Sequence, residues 1–498
     1  MTIDPKEILD ALEREEIDKS TAVDLLIYLI GNNDLIELRE ESIKSLQRIG
    51  VKNSKVFSVL ENVFLSDPNQ EIRKLGVESL TALFQEKVLP PLNWALDHEK
   101  SWELLLLIVS IIRDINNSNA KAILYEKIKK IRNYKFIKNL GSLLKTQELN
   151  SVDINKLEEI IKNYIIANEL EETLKEVNYQ VEEGLIVELN LSFASNNIFG
   201  WKILKNLNEF IAFLGKLRFL ELKSNNLRKV PDTVFSLNSL KYLGLSYNNI
   251  NKLPDQFNAL NSLENLNLRY NQLTETPPSI GALKNLKVLD LKHNKITSLP
   301  QSIGKLSSLE VLNLHGNQLE TIPSSLKELS SLKTLKLALN NLKAVPKWIE
   351  NLESLNKLSL GGNKSLSDMR KWISYLPSIK ELNLYDNDIH ELPETFSSLT
   401  SLEILLLPNN HISTLPESFK NLTSLKKLDL SWNNITHLPE WIDSLSSLEE
   451  LNLRGNKLST LPKSIYLLHS LKALNVSLNR NIIYPPKDLE KTDLEIIF

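Results

Sequence analysis

At 498 residues, 42% apolar and 24% charged, the chain has the composition of folded globular protein and room for several domains or a repeat array. Its 59 basic and 62 acidic side chains leave a net charge of -3, which excludes the strongly basic footprint of a general nucleic-acid binder. Cysteine is absent, so disulfides, thiolate metal sites and cysteine nucleophiles are excluded. No apolar run reaches the roughly eighteen residues of a membrane span. The first residues, Met1 to Glu7, lack a basic stretch followed by an apolar one, and the expectation is a soluble, untargeted, cytoplasmic chain.

Residues 1–153 carry apolar side chains three and four apart, the period of amphipathic helices. Leu38, Arg39, Ile43 and Leu46 recur 34 positions on as Ile72, Arg73, Val77 and Leu80, and a third apolar helix runs from Trp102 to Ile112. The stretch Asp67-Pro68-Asn69-Gln70-Glu71 reads as a helix start. These features resemble HEAT or armadillo repeats, and the resemblance implies an N-terminal α-solenoid. Residues 154–185, with a helix from about Asn155 to Val177, read as a connecting and capping helix that covers the open apolar end of the next array. A basic run, Lys121, Lys127, Lys129, Lys130, Arg132, Lys135 and Lys138, reads as solvated helix faces, with an acidic partner or anionic membrane as the other reading.

Residues 186–480 follow a different beat. An irregular first unit around Ile186, Leu189 and Leu191, with a helical stretch from Trp201 to Leu214, precedes units that start at 217, 240, 263, 286, 309, 332, 355, 379, 402, 425, 448 and 471. Each step is 23 residues except the 24 from Leu355 to Ile379. The unit at Leu240 shows the pattern with Leu243, Leu245, Asn248, Ile250, Leu253, Pro254, Phe257 and Leu260. Positions 4 and 6 face the same way on an extended chain, so each unit supplies one short parallel strand with those leucines inward. The asparagine at position 9, from Asn225 through Asn294 and Asn317 to Asn456, is placed to satisfy backbone groups buried at the turn. The proline at position 15, from Pro231 to Pro462, bars a long helix and predicts an extended return with about one helical or 3₁₀ turn. In the unit at Leu355 one residue is inserted after Asn363, and Met369 and Arg370 replace leucine and proline, which predicts a bulge on the convex side. Residues 481–498 leave the pattern and read as a C-terminal cap, with Asp493 to Phe498 as a final strand.

This pattern resembles the leucine-rich repeat, in the 23-residue LP subtype of cytosolic Ras-group scaffolds and their plant intracellular relatives. The fold class expected is therefore α+β: an α-solenoid followed by a leucine-rich repeat solenoid with a parallel β-sheet on its concave face. Catalytic relatives need parts that are missing here: a catalytic cysteine in bacterial leucine-rich-repeat ligases, a membrane span and kinase domain in receptor kinases. No glycine-rich loop precedes Lys216 or Lys305 in a phosphate-binding pattern. Of seven histidines only His293 and His315 are placed to meet, near Asp290, and no metal or other cofactor is expected.

What the sequence offers instead is a surface. Positions 3, 5, 7 and 8 of each unit face the concave side, and rows of aromatic and cationic residues there suit an interface. One cluster comprises Phe219, Tyr242, Tyr247, Arg269, Tyr270, Lys292, His293 and His315. A second, more apolar, comprises Tyr385, Ile404, Leu406, Pro408 and Trp432. The function expected is a non-enzymatic scaffold or adaptor that binds a protein partner on this face. The Ras-group resemblance implies a small GTPase or an associated phosphatase as partner, with a GTPase-activating regulator as the alternative.

Overall fold

The structure is a computed structural model that describes residues 4–138, 140, 152–174, 177–196, 200–366, 369–376, 378–480, 482 and 494–497. Most of the predicted C-terminal cap, including Asp493 and Phe498, lies outside the described residues. The contacts divide the chain into two units, Met1–Glu188 and Leu189–Phe498.

The first unit is helical. Its helices are α1 (Pro5–Glu13), α2 (Lys19–Asn32), α3 (Ile36–Ile49), α4 (Ser54–Ser66), α5 (Gln70–Phe84), α6 (Leu89–His98), α7 (Trp102–Ile115), α8 (Ser118–Lys129) and α9 (Ile154–Leu174). Local chemistry sets the starts, because Asp18, Asn53, Asn69, Ser101 and Asn117 each accept a hydrogen bond from a first-turn amide. Helix α5 thus begins at Gln70, after an asparagine cap, and Pro68 lies outside it. The helices pack as the pairs α2/α3, α4/α5 and α6/α7, with α3 against α5 and α5 against α7. The two arginines that recur 34 residues apart do the same job in successive pairs. Arg39, at the start of α3, forms an ion pair with Asp67 ahead of α5. Arg73, at the start of α5, grips Glu99 ahead of α7 with two bonds of 2.9 and 3.0 Å and donates to the Asp67 carbonyl at 2.9 Å. Much of the basic run is neutralised locally: Lys127 and Lys130 both hold Asp97 at 2.9 Å, and Lys129 pairs with Glu126 at 2.8 Å. Two strands, β1 (Asn178–Glu182) and β2 (Leu185–Asn190), follow α9, and the Ile186 amide donates to Asn163 Oδ1 of that helix at 2.8 Å.

The second unit is a coil of repeats. Its strands are β3 (Phe219–Glu221), β4 (Tyr242–Gly244), β5 (Asn265–Asn267), β6 (Val288–Asp290), β7 (Val311–Asn313), β8 (Thr334–Lys336), β9 (Lys357–Ser359), β10 (Glu381–Asn383), β11 (Ile404–Leu406), β12 (Lys427–Asp429), β13 (Glu450–Asn452), β14 (Ala473–Asn475) and β15 (Glu495–Ile497). They pair in chain order and in parallel, each residue opposite its counterpart one unit on. The final strand expected near the C-terminus is β15, which pairs with β14. Positions 4 and 6 form the core, as Leu243, Leu245, Leu266 and Leu268 show with at most 1% exposure. Where a proline caps the turn its φ runs from -60° at Pro231 to -76° at Pro393, and a short 3₁₀ turn such as Asp232–Ser236 or Gln301–Lys305 follows. The 24-residue unit absorbs its insertion behind the sheet. A helical turn, Met369–Trp372, replaces the usual 3₁₀ start and buries Trp372, while β9 still meets β10 at Lys357↔Glu381 without a slip.

The asparagines join the coils. Asn294 Nδ2 donates to the carbonyls of Leu268 and Leu291, both at 3.0 Å, and its Oδ1 accepts from the Leu273 amide at 3.0 Å. Asn317 repeats this one unit on, with Leu291, Leu314 and Ile296. The ladder runs one rung further than the sequence reading placed it, to Asn479, which binds the Leu453 and Val476 carbonyls at 3.0 and 2.8 Å. Since an unpaired buried polar group costs about 1–3 kcal/mol, Asn294→Ala and Asn317→Ala should each lower stability by at least that amount. Urea midpoints read against the parent chain, with an unchanged slope, measure it.

Candidate interaction face

Residues at positions 3, 5, 7 and 8 of the coil line the concave side, and the structure brings the first predicted cluster together. Phe219 and Tyr242, on β3 and β4, stack at 4.3 Å with planes 10° apart. The Tyr242 hydroxyl donates to Glu221 Oε2 at 2.9 Å, and burial together with that carboxylate pushes the phenol up to about 12. Beside this pair runs a second column. Tyr247 and Tyr270 stack at 4.4 Å, Tyr270 meets His293 at 4.5 Å, and His293 meets His315 edge-on at 5.1 Å. The Arg269 guanidinium lies 5.6 Å from the Tyr247 ring, and Lys223 Nζ lies 5.3 Å from both Tyr247 and Phe193. Lys223 and Phe193 belong to the column although the sequence reading left both out.

The column depends on a backbone feature that periodicity did not reveal. Position 8 is left-handed in every unit: φ is 55° at Tyr247, 54° at Tyr270, 50° at His293, 52° at Leu339 and 57° at Trp432. For residues with a Cβ this conformation costs about 1–2 kcal/mol. Glycine removes that strain at Gly316 and Gly455, where φ is 69° and 65°. Those glycines also make room. A Cβ on Gly316 would lie 2.3 Å from His293 Nδ1, and one on Gly455 would lie 2.8 Å from the Trp432 ring. Bulky residues at position 8 therefore lean over the next coil, and a glycine there receives them.

The second cluster is looser. Tyr385 covers Gly361 of the preceding coil, Trp432 covers Gly455 of the following one, and the Arg454 guanidinium lies 5.9 Å from the Trp432 ring. Leu406, like Ile404 and Pro408, is half-buried, whereas Trp432 is 52% exposed. Tyr385 also lines a cavity of about 490 Å³ whose wall includes Lys292, His315, Lys336, Lys357 and Glu381. Burial, then the charges of Lys292, His293 and Lys336, hold the His315 imidazole down at about 4, and burial lowers His293 as well. The expectation that His293 and His315 alone would meet needs correction: His390 and His411 also approach, with centroids 4.9 Å apart, because positions 12 and 10 of successive units become neighbours on the edge beyond the strands. Among the described residues no group of three metal-binding side chains converges.

Position 2, just outside this face, carries a ladder of alternating sign. Glu264 is held by Lys241 and Lys287 at 3.3 and 2.7 Å, Glu310 by Lys333 at 2.9 Å, and Glu403 by Lys380 and Lys426 at 3.1 and 2.8 Å. From Lys241 to Lys472 the alternation breaks only at Asn356, in the 24-residue unit, and Arg218 ahead of it repeats the sign of Lys241. Its two-unit period was readable in the sequence from the Lys-Glu alternation every 23 residues.

A leucine-rich repeat region model matches residues 279–387, and a leucine rich repeat model matches 215–273, 366–412 and 413–458. The chain is a leucine-rich repeat protein over this part of its length. A leucine-rich repeat protein of Leptospira interrogans is 33% identical, with 58% of this chain and 86% of that one covered and a TM-score of 0.44. An internalin of Listeria monocytogenes is 20% identical, with 74% of this chain and 96% of that one covered and a TM-score of 0.51, a likeness of fold. No curated protein matches the chain. Leucine-rich repeats generally mediate protein-protein interaction, and no described helix is long and apolar enough to cross a membrane.

Two outcomes test this description. Tyr270→Asn should leave stability within about 1 kcal/mol of the parent, because the lost stacking of about 0.5–1.5 kcal/mol is offset by the relief of left-handed strain. Gly316→Val, which restores that strain and strikes His293, should lower the melting temperature clearly. The second outcome concerns pH. The unfolded chain binds a proton at His315 near 6.5 and the folded chain only near 4, so stability falls as pH drops from 6.5 to 4. Urea midpoints across that window should fall less steeply for His315→Gln.

Proposed function

We propose that this protein is a non-enzymatic interaction scaffold that binds a protein partner on the concave side of its leucine-rich coil, centred on β3 to β8. The observation that carries this reading is the column of Tyr247, Tyr270 and His293, held in left-handed backbone with Tyr247 and Tyr270 42% and 37% exposed. Exposed aromatic rows beside arginine are the usual material of binding hot spots, and strained backbone is retained where function needs it. The helical unit is proposed as a HEAT-like repeat array, supported by the matched Arg39 and Arg73 ion pairs, and cytoplasmic residence is proposed from the absence of cysteine. For partner identity we keep a small GTPase or an associated phosphatase, supported by the 23-residue LP period and its Ras-group resemblance. The alternative, a regulator that accelerates GTP hydrolysis, is separated by measuring hydrolysis by small GTPases with and without the chain.

The binding face itself is tested with a partner captured by the whole chain and identified by mass spectrometry. Arg269→Ala with Tyr270→Ala should weaken its affinity by more than about 2 kcal/mol, the size of a hot spot, with little change in melting temperature. Lys347→Ala and Glu417→Ala, in the convex 3₁₀ turns, should leave affinity unchanged. Binding lost in the convex variants and kept in the concave pair would place the interface elsewhere.

A further inference from the structure

The concave side is electrostatically uneven. Among the described residues, Lys223, Arg269, Lys292 and Lys336 have no carboxylate within ion-pair distance, and the buried Arg269 Nε has no hydrogen-bond partner. Further along the same face Lys357 pairs with Glu381 at 2.9 Å and Lys427 with Glu450 at 2.5 Å, with Arg454, against the Trp432 ring, as the exception. Two carboxylates share the first half of the face: Glu221 accepts from the Tyr242 hydroxyl of the neighbouring strand, with its other oxygen buried, and Asp290 accepts the Lys292 amide at 2.9 Å. The unmatched charges fall at β3, β5, β6 and β8, and the last two line the 490 Å³ cavity with His315. Four uncompensated cations on one strip are a surface that lacks its counterion.

The geometry points to an extended acidic peptide segment of a partner protein, laid across β3 to β8 with its carboxylates on Lys223, Arg269, Lys292 and Lys336. This deepens the function proposed above and rests on it. Six parallel strands at roughly 4.8 Å span about 24 Å, the reach of seven or eight extended residues, in which alternate side chains face the sheet. The aromatic column favours a peptide over single-stranded nucleic acid, whose bases need free ring faces. Here the faces are taken: Tyr247 is covered by Tyr270, Lys223 and Arg269, and Tyr270 by His293. What remains open is ring edges, the positive rim of the aromatic quadrupole, which suits carboxylates.

The test uses the full chain and a displayed library of random twelve-residue peptides. The selected pool should be enriched in Asp and Glu, and a synthetic peptide from it should bind at least tenfold more weakly to Lys292→Ser with Lys336→Ser than to the parent. Lys347→Ser, on the convex side, should bind it as the parent does. Should the double variant melt early, the parent's affinity for the same peptide supplies the reading: a fall of about fivefold or more from low to high salt is expected, since exposed pairs are screened. A neutral or basic pool, affinity indifferent to both lysines and to salt, or tighter binding of an oligothymidine than of the peptide would overturn the proposal. If such a pool still loses binding with Arg269→Ala and Tyr270→Ala, the concave face stands and only its acidic occupant is refuted. If no pool binds, or binding ignores both pairs of substitutions, the concave reading falls with it.

Discussion

The coil stands on one recurrent hydrogen-bonding solution. Every unit must turn its backbone inward after a three-residue strand, and the turn buries carbonyls and amides that the strands do not reach. One asparagine per unit settles this, donating to its own coil and to the preceding one while accepting from an amide of that neighbour, as Asn248 does between Leu245, Leu222 and Leu227. Because the side chain spans two coils, it fixes their register as well as their polarity. Where one residue is inserted, Asn387 still reaches back to Leu360 at 3.2 Å, and the extra length is pushed to the convex side. The concave face therefore stays continuous across the irregular unit.

That continuity makes the face usable, and a second constraint shapes it. The chain leaves each strand through a left-handed residue at position 8 before the asparagine can point inward. The easiest occupants are glycine, asparagine and aspartate, and Gly316, Gly362, Gly455, Asn409 and Asp386 take that place in five units. Tyr247, Tyr270, His293 and Trp432 hold it against that preference and project their rings along the sheet. Strain and exposure coincide in the two tyrosines and the tryptophan, which separates them from the aromatic residues of the core such as Phe257 and Phe419. Charge follows the same division: surface lysines at position 2 are matched by glutamates one coil away, whereas the cations beside the strained rings are unmatched.

The helical unit uses a different device for the same purpose. Its pairs are amphipathic, but amphipathicity alone leaves their stacking order open. Arg39 and Arg73 close that choice, each joining the start of one helix to the loop before the next equivalent helix. The pairing of Arg73 with Glu99, supported by Ser101 and Lys100 amides on the same carboxylate, ties charge and backbone together and holds Glu99 below the usual carboxylate range against its burial.

The sequence by itself determined the repeat: its length, one short parallel strand per unit, the inward leucines, the asparagine ladder, the proline-led turn and the site of the insertion. Each follows from a local rule applied every 23 residues, and repetition multiplies a weak local signal into a strong one. It also named the residues of the first cluster, because side-chain direction on a strand alternates with position. It did not reveal the left-handed backbone under Tyr247, Tyr270 and His293, since glycine, asparagine, tyrosine and tryptophan share that position and no residue type marks it. Nor did it find Lys223 and Phe193 as partners of Tyr247, or the meeting of His390 with His411. Those contacts join residues in different coils, about one repeat apart, and whether two such side chains touch depends on how each leans over its neighbour. Only the tertiary structure decides that, because the lean follows the space left on the neighbouring coil, as Gly316 and Gly455 show for His293 and Trp432.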